Sequence, residues 1–309
     1  MIYGILAYLL WGLFPAFFPL LEPAGAVEIL AHRILWAALL MALVLTVTRG
    51  WAELRAAHRA TWAHMGGAGL LIAANWLIYI VAVNSGHVAD AALGYFINPL
   101  VSVLLGVLIL GERLRRLQLM AVLLAAAAVA WLTLLGGQPP VLALGLALSF
   151  GLYGLLKKQI PVSGPAGLAA ETLVLVPLAL GYLAWLEATG RGTALSMGAG
   201  HAGLLMASGA ITVVPLLLFA RATKVITLST VGMLQYLTPT MQMLWALFVV
   251  HEHVSPQRWV GFLLIWAAVA LFILDATRRR ARRAQRGQRG QRGQNPRQPR
   301  RRPQRPRGA

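Results

Sequence analysis

The stretch EILAHRILWAALLMALVLTVT, residues 28–48, decides the class of fold. A helix of about 20 mostly apolar residues is long enough to cross the hydrocarbon core of a bilayer. The first six residues nevertheless include three ionisable side chains, Glu28, His32 and Arg33. The pattern predicts a membrane-spanning helix whose outer end turns its charged side chains toward other helices.

The composition of the whole chain agrees with a membrane protein. Of its 309 residues, 59% are hydrophobic and only 12% are charged, and the mean hydropathy is +0.70. A soluble protein of this length needs more polar surface. The chain has no cysteine, which excludes disulfides and thiolate metal sites. It has no nucleotide-binding P-loop either, so we expect no cofactor, no catalytic residue and no ATP-driven pump.

Apolar segments of membrane-spanning length recur along the chain, which predicts an all-α membrane protein with ten transmembrane helices. The predicted helices cover residues 2–21, 28–48, 65–84, 88–110, 117–136, 141–158, 166–187, 201–220, 226–250 and 258–277.

The basic residues of the short loops predict the orientation in the membrane. Lysine and arginine favour cytoplasmic loops, and they cluster after every second predicted helix, as at Arg49 and Arg113. Lys157 and Lys158 end the sixth helix, where we expect them to extend to the same surface. Both termini are therefore predicted to be cytoplasmic.

The two halves of the chain resemble each other. A shift of 140 residues superimposes Pro99 on Pro239 without gaps, and Glu28 and Glu171 stand 143 residues apart near the start of each half. We predict one five-helix repeat over residues 1–136 and a second over 137–277. Because five is odd, the second repeat enters the membrane from the opposite side, an arrangement typical of secondary transporters.

The remaining residues, 278–309, contain 14 arginines and no acidic residue, so this segment carries most of the net charge of +18. It has no apolar periodicity, and we expect a disordered cytoplasmic tail. Anionic lipid headgroups are the expected partner. Nucleic acid is not expected, because no aromatic residues alternate with the arginines.

The charged group at residues 28–33 is the first candidate site. Arg33 is expected either to bind a substrate carboxylate or to form a fixed ion pair that holds the helix. Glu28 and His32 are four residues apart and share a helix face. They are candidates for gating or for coupling to protons, although Glu28 could equally lie at the rim.

Polar and aromatic side chains in other predicted helices suggest a central cavity. Proline removes a backbone hydrogen bond, and such breaks line cavities in transporters. Interhelical hydrogen bonds without a functional role are the alternative. The candidate substrate-binding residues are Trp11, Asn75, Tyr79, Tyr95, Asn98, Tyr153, Gln235 and Thr238, and the candidate gating residues include Pro99 and Pro239.

Residues 1–277 also resemble the drug/metabolite transporter superfamily, in its EamA-type form and most closely in its RarD-like branch. The resemblance rests on AYLLWGLFPAFFPLL (7–21), EILAHRILWA (28–37), NWLIYIVAVNSGHVADAALGYFINPL (75–100), LGERL (110–114), ETLVLVP (171–177) and STVGMLQYLTPTMQML (229–244). It implies two inverted five-helix repeats, cytoplasmic termini and export or exchange of small metabolites.

These observations predict a multi-pass permease of the inner (plasma) membrane that moves a small organic solute by alternating access. The solute would be an amino acid, a metabolite or an amphiphilic drug. Two alternatives stay open at this point: a membrane scaffold or sensor whose basic tail recruits partners, and a membrane-embedded lipid-handling enzyme. The oligomeric state does not follow from the sequence.

Overall fold

The protein is described by a computed structural model over residues 1–84, 88–136, 141–251 and 256–293. Side chains are described for all of these except 80–84, 88–93, 135–136, 246, 250, 258 and 276–293. The described backbone is helical, with no strand. The helices are α1 Ile2–Gly12, α2 Phe14–Phe17, α3 Ala26–Val47, α4 Trp51–Ala56, α5 Arg59–Asn84, α6 Val88–Leu108, α7 Arg116–Gly136, α8 Val141–Gln159, α9 Gly164–Ala188, α10 Ala199–Val225, α11 Leu228–Leu234, α12 Leu237–Trp245 and α13 Pro256–Gly293.

Six segments within the described residues are long and apolar enough to cross a membrane. Gly94–Leu108 and Trp259–Asp275 are shorter apolar helices. The prediction of an all-helical membrane protein is therefore confirmed, while the full count of ten transmembrane helices stays a prediction. The six segments are Ile2–Leu21, Ala26–Val47, Arg116–Leu134, Val141–Gln159, Gly164–Ala188 and Ala199–Val225.

Several expected elements differ in the structure. The predicted helix 2–21 is divided, because α1 ends at Gly12 and α2 begins at Phe14. The segment 226–250 is not one helix, because α11 ends at Leu234, α12 begins at Leu237, and residues Ala246–Val250 form a π-helical turn. Pro239 stands in the first turn of α12, where the N–H that proline lacks would have no helical partner. Pro99, in contrast, lies inside α6, which continues through it.

The basic segment that begins at residue 278 was expected to be disordered, but its first residues belong to helix α13. Helix α13 continues from the apolar segment through Gly293, and residues 294–309 lie outside the described part of the chain. Extending an existing helix avoids the cost of nucleation, and arginine, alanine and glutamine are good helix formers. The helical start of the tail therefore follows from the helix that precedes it.

The main helix contacts follow a regular scheme. Helix α3 packs on α9, α6 on α11, and α7 on α13. Helix α10 packs on α1 and α3, and α5 packs on α8 and α9. When each helix is exchanged with its counterpart in the other half, about 140 residues away, the first three contacts map onto themselves. The contacts of α10 with α1 and α3 become those of α5 with α8 and α9.

Small residues allow the closest helix contacts. A Cβ atom added to Gly209 of α10 would lie 2.5 Å from the Cβ of Trp36 in α3, and one added to Gly232 of α11 would lie 2.9 Å from the carbonyl oxygen of Pro99. Helices in a bilayer associate through such close van der Waals packing. These glycines therefore bring α10 against α3 and α11 against α6.

Carboxylates connect the ends of helices that are distant in sequence. Glu53 accepts hydrogen bonds from the N–H (2.5 Å) and hydroxyl (2.6 Å) of Ser163, which precedes α9. Glu112 accepts from the N–H groups of Leu228 (2.6 Å) and Ser229 (2.9 Å) at the start of α11. Negative groups are stabilising where a helix begins, because its first N–H groups lack partners.

Replacing Gly209 by alanine is expected to destabilise the protein by about 1–3 kcal/mol, because the added methyl overpacks the contact with Trp36. Gly203→Ala is the matched control in the same helix, since a Cβ there has nothing within 4 Å. The control should stabilise slightly, by up to about 1 kcal/mol, through helix propensity. Thermal unfolding in detergent micelles measures both, and equal melting temperatures would contradict the packing argument.

Candidate functional site

Arg33 lies in α3, well inside the bundle, among aromatic rings. Its Nε donates a hydrogen bond to Thr212 Oγ1 at 2.8 Å. The guanidinium carbon lies 4.7 Å from the ring centre of Trp76, 5.4 Å from that of Phe18 and 5.6 Å from that of Phe14. Among the described side chains, Arg33 forms no ion pair. A guanidinium keeps its charge and has five N–H donors, so Arg33 retains donors for an anion.

Arg33 borders a small cavity between helices α3, α5, α8, α9 and α10. Half of its lining residues are aliphatic, and the ring of Trp76 also contributes to the wall. An apolar wall with few convergent polar groups is typical of small-molecule sites. The polar side chains of the wall are Arg33, Tyr153, Glu171, Thr172 and Thr212.

A buried ion pair borders the same cavity. Lys157 Nζ lies 2.7 Å from Glu171 Oε1, and the two side chains are only 3% and 2% exposed. Tyr153 donates its hydroxyl to Glu171 Oε2 at 3.3 Å. The expectation that Lys157 extends to the membrane surface is therefore wrong. The carboxylate of Glu171 is the nearest opposite charge, and pairing inside the protein replaces solvation by water.

Sequence analysis missed this pair, although one signal was present. Tyr153 and Lys157 are four residues apart and therefore share a helix face. The internal repeat pairs Glu171 with Glu28, but the two residues lie at different distances from the start of their helices. Glu28 is in the first turn of α3, whereas Glu171 follows the start of α9 at Gly164 by about two turns.

Glu28 and His32 lie near the N-terminal end of α3 and do not belong to the cavity wall. Glu28 is buried and accepts hydrogen bonds from the N–H (2.7 Å) and hydroxyl (2.9 Å) of Thr193, in the segment between α9 and α10. His32 is buried as well, and neither of its ring nitrogens has a hydrogen-bond partner among the described residues. Glu28 thus joins two distant segments.

Asn98 and Gln235 lie in the region where α6 meets α11. Asn98 is 1% exposed, and both atoms of its amide lack a hydrogen-bond partner within the described residues. The side-chain oxygen of Gln235 is also buried without a partner. Buried polar groups are normally satisfied by protein or by ordered water. These two amides are therefore available to a water molecule or a solute.

The other predicted site residues have partners within the protein. Asn75 donates to the Leu146 carbonyl (2.9 Å) and to Ser149 Oγ (3.0 Å), and Thr238 donates to the Tyr8 carbonyl (2.9 Å). None of these residues belongs to the wall of the Arg33 cavity.

Aromatic partners account for Trp11, Tyr79 and Tyr95. The rings of Tyr79 and Tyr95 are 6.0 Å apart, and Tyr79 is 39% exposed. Trp11 packs against Phe219 at 5.7 Å, which in turn stacks on Tyr153. Of the residues predicted to bind substrate, the structure brings Arg33 and Tyr153 together on one cavity.

Comparison with known proteins gives the family. The EamA-like transporter family matches twice, over residues 1–134 and over residues 139–274. A solved crystal structure with 20% sequence identity superimposes with a TM-score of 0.70, covering 90% of this chain and 97% of the other. This last likeness concerns the fold alone.

Two relatives agree with the family match along nearly their whole length. Protein RarD of Streptomyces exfoliatus is 48% identical over 90% of this chain and 89% of its own length. A protein of Bacillus subtilis named Uncharacterized transporter YojE is 45% identical over 90% and 94% of the two chains. The chain therefore belongs to the EamA-like transporter family, in its RarD-like branch, and is a multi-pass membrane transporter.

Proposed function

We propose that the protein is a secondary permease of the inner (plasma) membrane that exports or exchanges a small organic solute. The solute is an amino acid, a metabolite or an amphiphilic drug-like compound. The observation that carries the proposal is Arg33, a partly buried cation without a counterion among the described side chains, on a cavity between helices of both halves. Buried charge of this kind is costly in a membrane and marks substrate pathways.

The mechanism proposed is alternating access by two inverted repeats. The double family match, over residues 1–134 and 139–274, supports the repeat. The helix contacts support it too, since exchanging the halves reproduces the main contacts. Each half carries five predicted spans, so the second would be inverted. In such transporters the substrate site lies where the halves meet, which fits the position of the cavity.

The substrate is proposed to bind between Arg33 and Tyr153, with Trp76 against its apolar part. Asn98 and Gln235, whose amides have unbonded buried atoms, are proposed to line the pathway that leads to or from this cavity. Asn75, Thr238 and Trp11 hold the surrounding helices through their hydrogen bonds and ring contacts.

Contacts at the face predicted to be cytoplasmic are proposed to form a gate. Glu53 and Glu112 of the first half accept hydrogen bonds from Ser163 and Ser229 of the second. Lys158 also lies 3.9 Å from Glu112. Opening the cavity toward the cytoplasm would require these contacts between the halves to break. They therefore favour the state in which that face is closed.

Efflux from loaded proteoliposomes tests the function directly, with a panel of amino acids and chloramphenicol, with and without a pH gradient. Arg33→Gln should lower saturable efflux by at least about tenfold, because losing a buried charge partner costs about 2–5 kcal/mol. Arg191→Gln is the control, since Arg191 is an exposed loop residue. Equal efflux by wild type and Arg33→Gln would make Arg33 structural. Absence of efflux for every compound would contradict the proposed substrates.

Thiol labelling tests the gate, because the natural chain has no cysteine. In a Thr172→Cys background, whose thiol would line the cavity, Glu112→Gln should speed labelling from the cytoplasmic side. The expected factor is about tenfold, since hydrogen bonds to a charged group contribute about 1.5–3 kcal/mol. Glu22→Gln, at an exposed site, should leave the rate unchanged. Slower labelling in Glu112→Gln would contradict the gate.

The Arg-rich segment 278–309 is proposed to bind anionic lipid headgroups on the cytoplasmic side, at about 1 kcal/mol for each basic residue near the surface. Deleting it should leave the specific efflux rate within about twofold, because the EamA-like matches end at residue 274. Flotation with vesicles of increasing phosphatidylserine content measures the lipid contact of a peptide of this segment. Loss of transport on deletion would favour the scaffold or sensor alternative.

A further inference from the structure

The charges around the Arg33 cavity do not cancel. Glu171 lines the cavity, and its charge is compensated directly by Lys157 at 2.7 Å. Arg33 lines the same cavity and has no carboxylate partner among the described side chains. Two cations and one carboxylate therefore leave one positive charge at the cavity.

The nearby carboxylate of Glu28 does not supply the missing charge within the cavity. It precedes Arg33 by five residues, which is about 7 Å along a helix. Both of its hydrogen bonds go to Thr193, outside the cavity wall. The positive charge at Arg33 is therefore not balanced by any carboxylate of the cavity wall, because Glu171 is already paired with Lys157.

The Lys157–Glu171 pair needs an explanation beyond stability. Replacing a buried ion pair by apolar residues of similar size is often neutral or stabilising. An intramembrane ionisable residue is, by default, evidence of a functional site. Lys157 and Tyr153 hold Glu171 at the cavity wall from the side of α8, so the pair fixes how many charges the wall carries.

We propose that the cavity selects organic monoanions with an apolar body, and that the Lys157–Glu171 pair sets this charge preference. The inference rests on the proposed transport function and names its substrate class. A monoanion on Arg33 makes the loaded cavity neutral. A dianion leaves one negative charge in a low-dielectric site, and a neutral solute leaves the guanidinium unpaired, so both bind more weakly. The aliphatic side chains of the wall and Trp76 would contact the apolar body of a bound solute.

Binding of three probes with the same ring tests the charge preference: benzoate as monoanion, phthalate as dianion and benzamide as neutral compound. Calorimetry on the purified full-length protein in lipid nanodiscs at pH 7.5 gives the affinities. Benzoate should bind at least about tenfold more tightly than either other probe. Equal affinities, or no binding of benzoate, would overturn the proposal.

Variants of the pair separate charge from structure. Glu171→Gln raises the charge at the cavity to two and should favour phthalate over benzoate. Lys157→Met lowers it to zero and should remove the advantage of benzoate over benzamide. Both single variants leave an unpaired group and could fold poorly. The double variant Lys157→Met with Glu171→Gln restores a single positive charge, and the order of preference should return to benzoate first, whatever the absolute affinities.

Adding Arg33→Gln to the double variant should abolish the preference for benzoate. A double variant that itself loses the preference would show that the pair contacts the solute directly or shapes the cavity, and would overturn the charge account. The proteoliposome assay distinguishes this failure from failure of the transport proposal. Saturable efflux of a neutral or cationic compound, without binding of benzoate, would leave the transporter standing and refute monoanion selectivity alone.

Discussion

A charged or polar group inside a bilayer must find its partner within the protein, and this constraint organises the structure. No water is available in the hydrocarbon core to solvate an unpaired group. Lys157 and Glu171 satisfy each other at 2.7 Å. Glu28 is satisfied by Thr193, and Glu112 by the start of α11. Arg33 donates a hydrogen bond to Thr212 but has no opposite charge as a partner among the described side chains, and this is why the cavity beside it is the site of interest.

The same constraint explains how the helices are joined. Carboxylates form hydrogen bonds between the halves at helix ends, where free N–H groups are available, while Arg33–Thr212 and Asn75–Leu146 join the halves within the spans. Within the spans, close packing takes over, as where Gly209 meets Trp36 and Gly232 meets Pro99. The carboxylate contacts are thus at helix ends, and the close glycine contacts are within the spans. The proposed gate involves only the contacts at the ends.

Local patterns predicted much of the fold because spanning helices are defined by length and hydropathy. The predicted helix 28–48 corresponds to α3, Ala26–Val47, and 166–187 corresponds to α9, Gly164–Ala188. A break was predicted at Pro239 of the span 226–250, whereas the structure divides this span between Leu234 and Leu237. The position of a proline does not determine at which residue a helix ends. The site was predicted less well. Arg33 and Tyr153 could be singled out as polar groups in apolar helices, but which side chain meets which depends on helix rotation.

Lys157 illustrates that limit and also the asymmetry of the two halves. A lysine at the end of a helix has the same sequence pattern whether it reaches the surface or pairs inside, and only the position of Glu171 on α9 decides between them. The two halves share their helix contacts but not their charges. Counted from the first residue of each helix, Arg33 of α3 and Glu171 of α9 occupy the same position, so a cation in one half corresponds to a carboxylate in the other. At the cavity, the first half thus carries a cation without a counterion, and the second half carries a neutral ion pair. This difference in charge, and not the shared packing, would give the cavity a preference for one charge of solute.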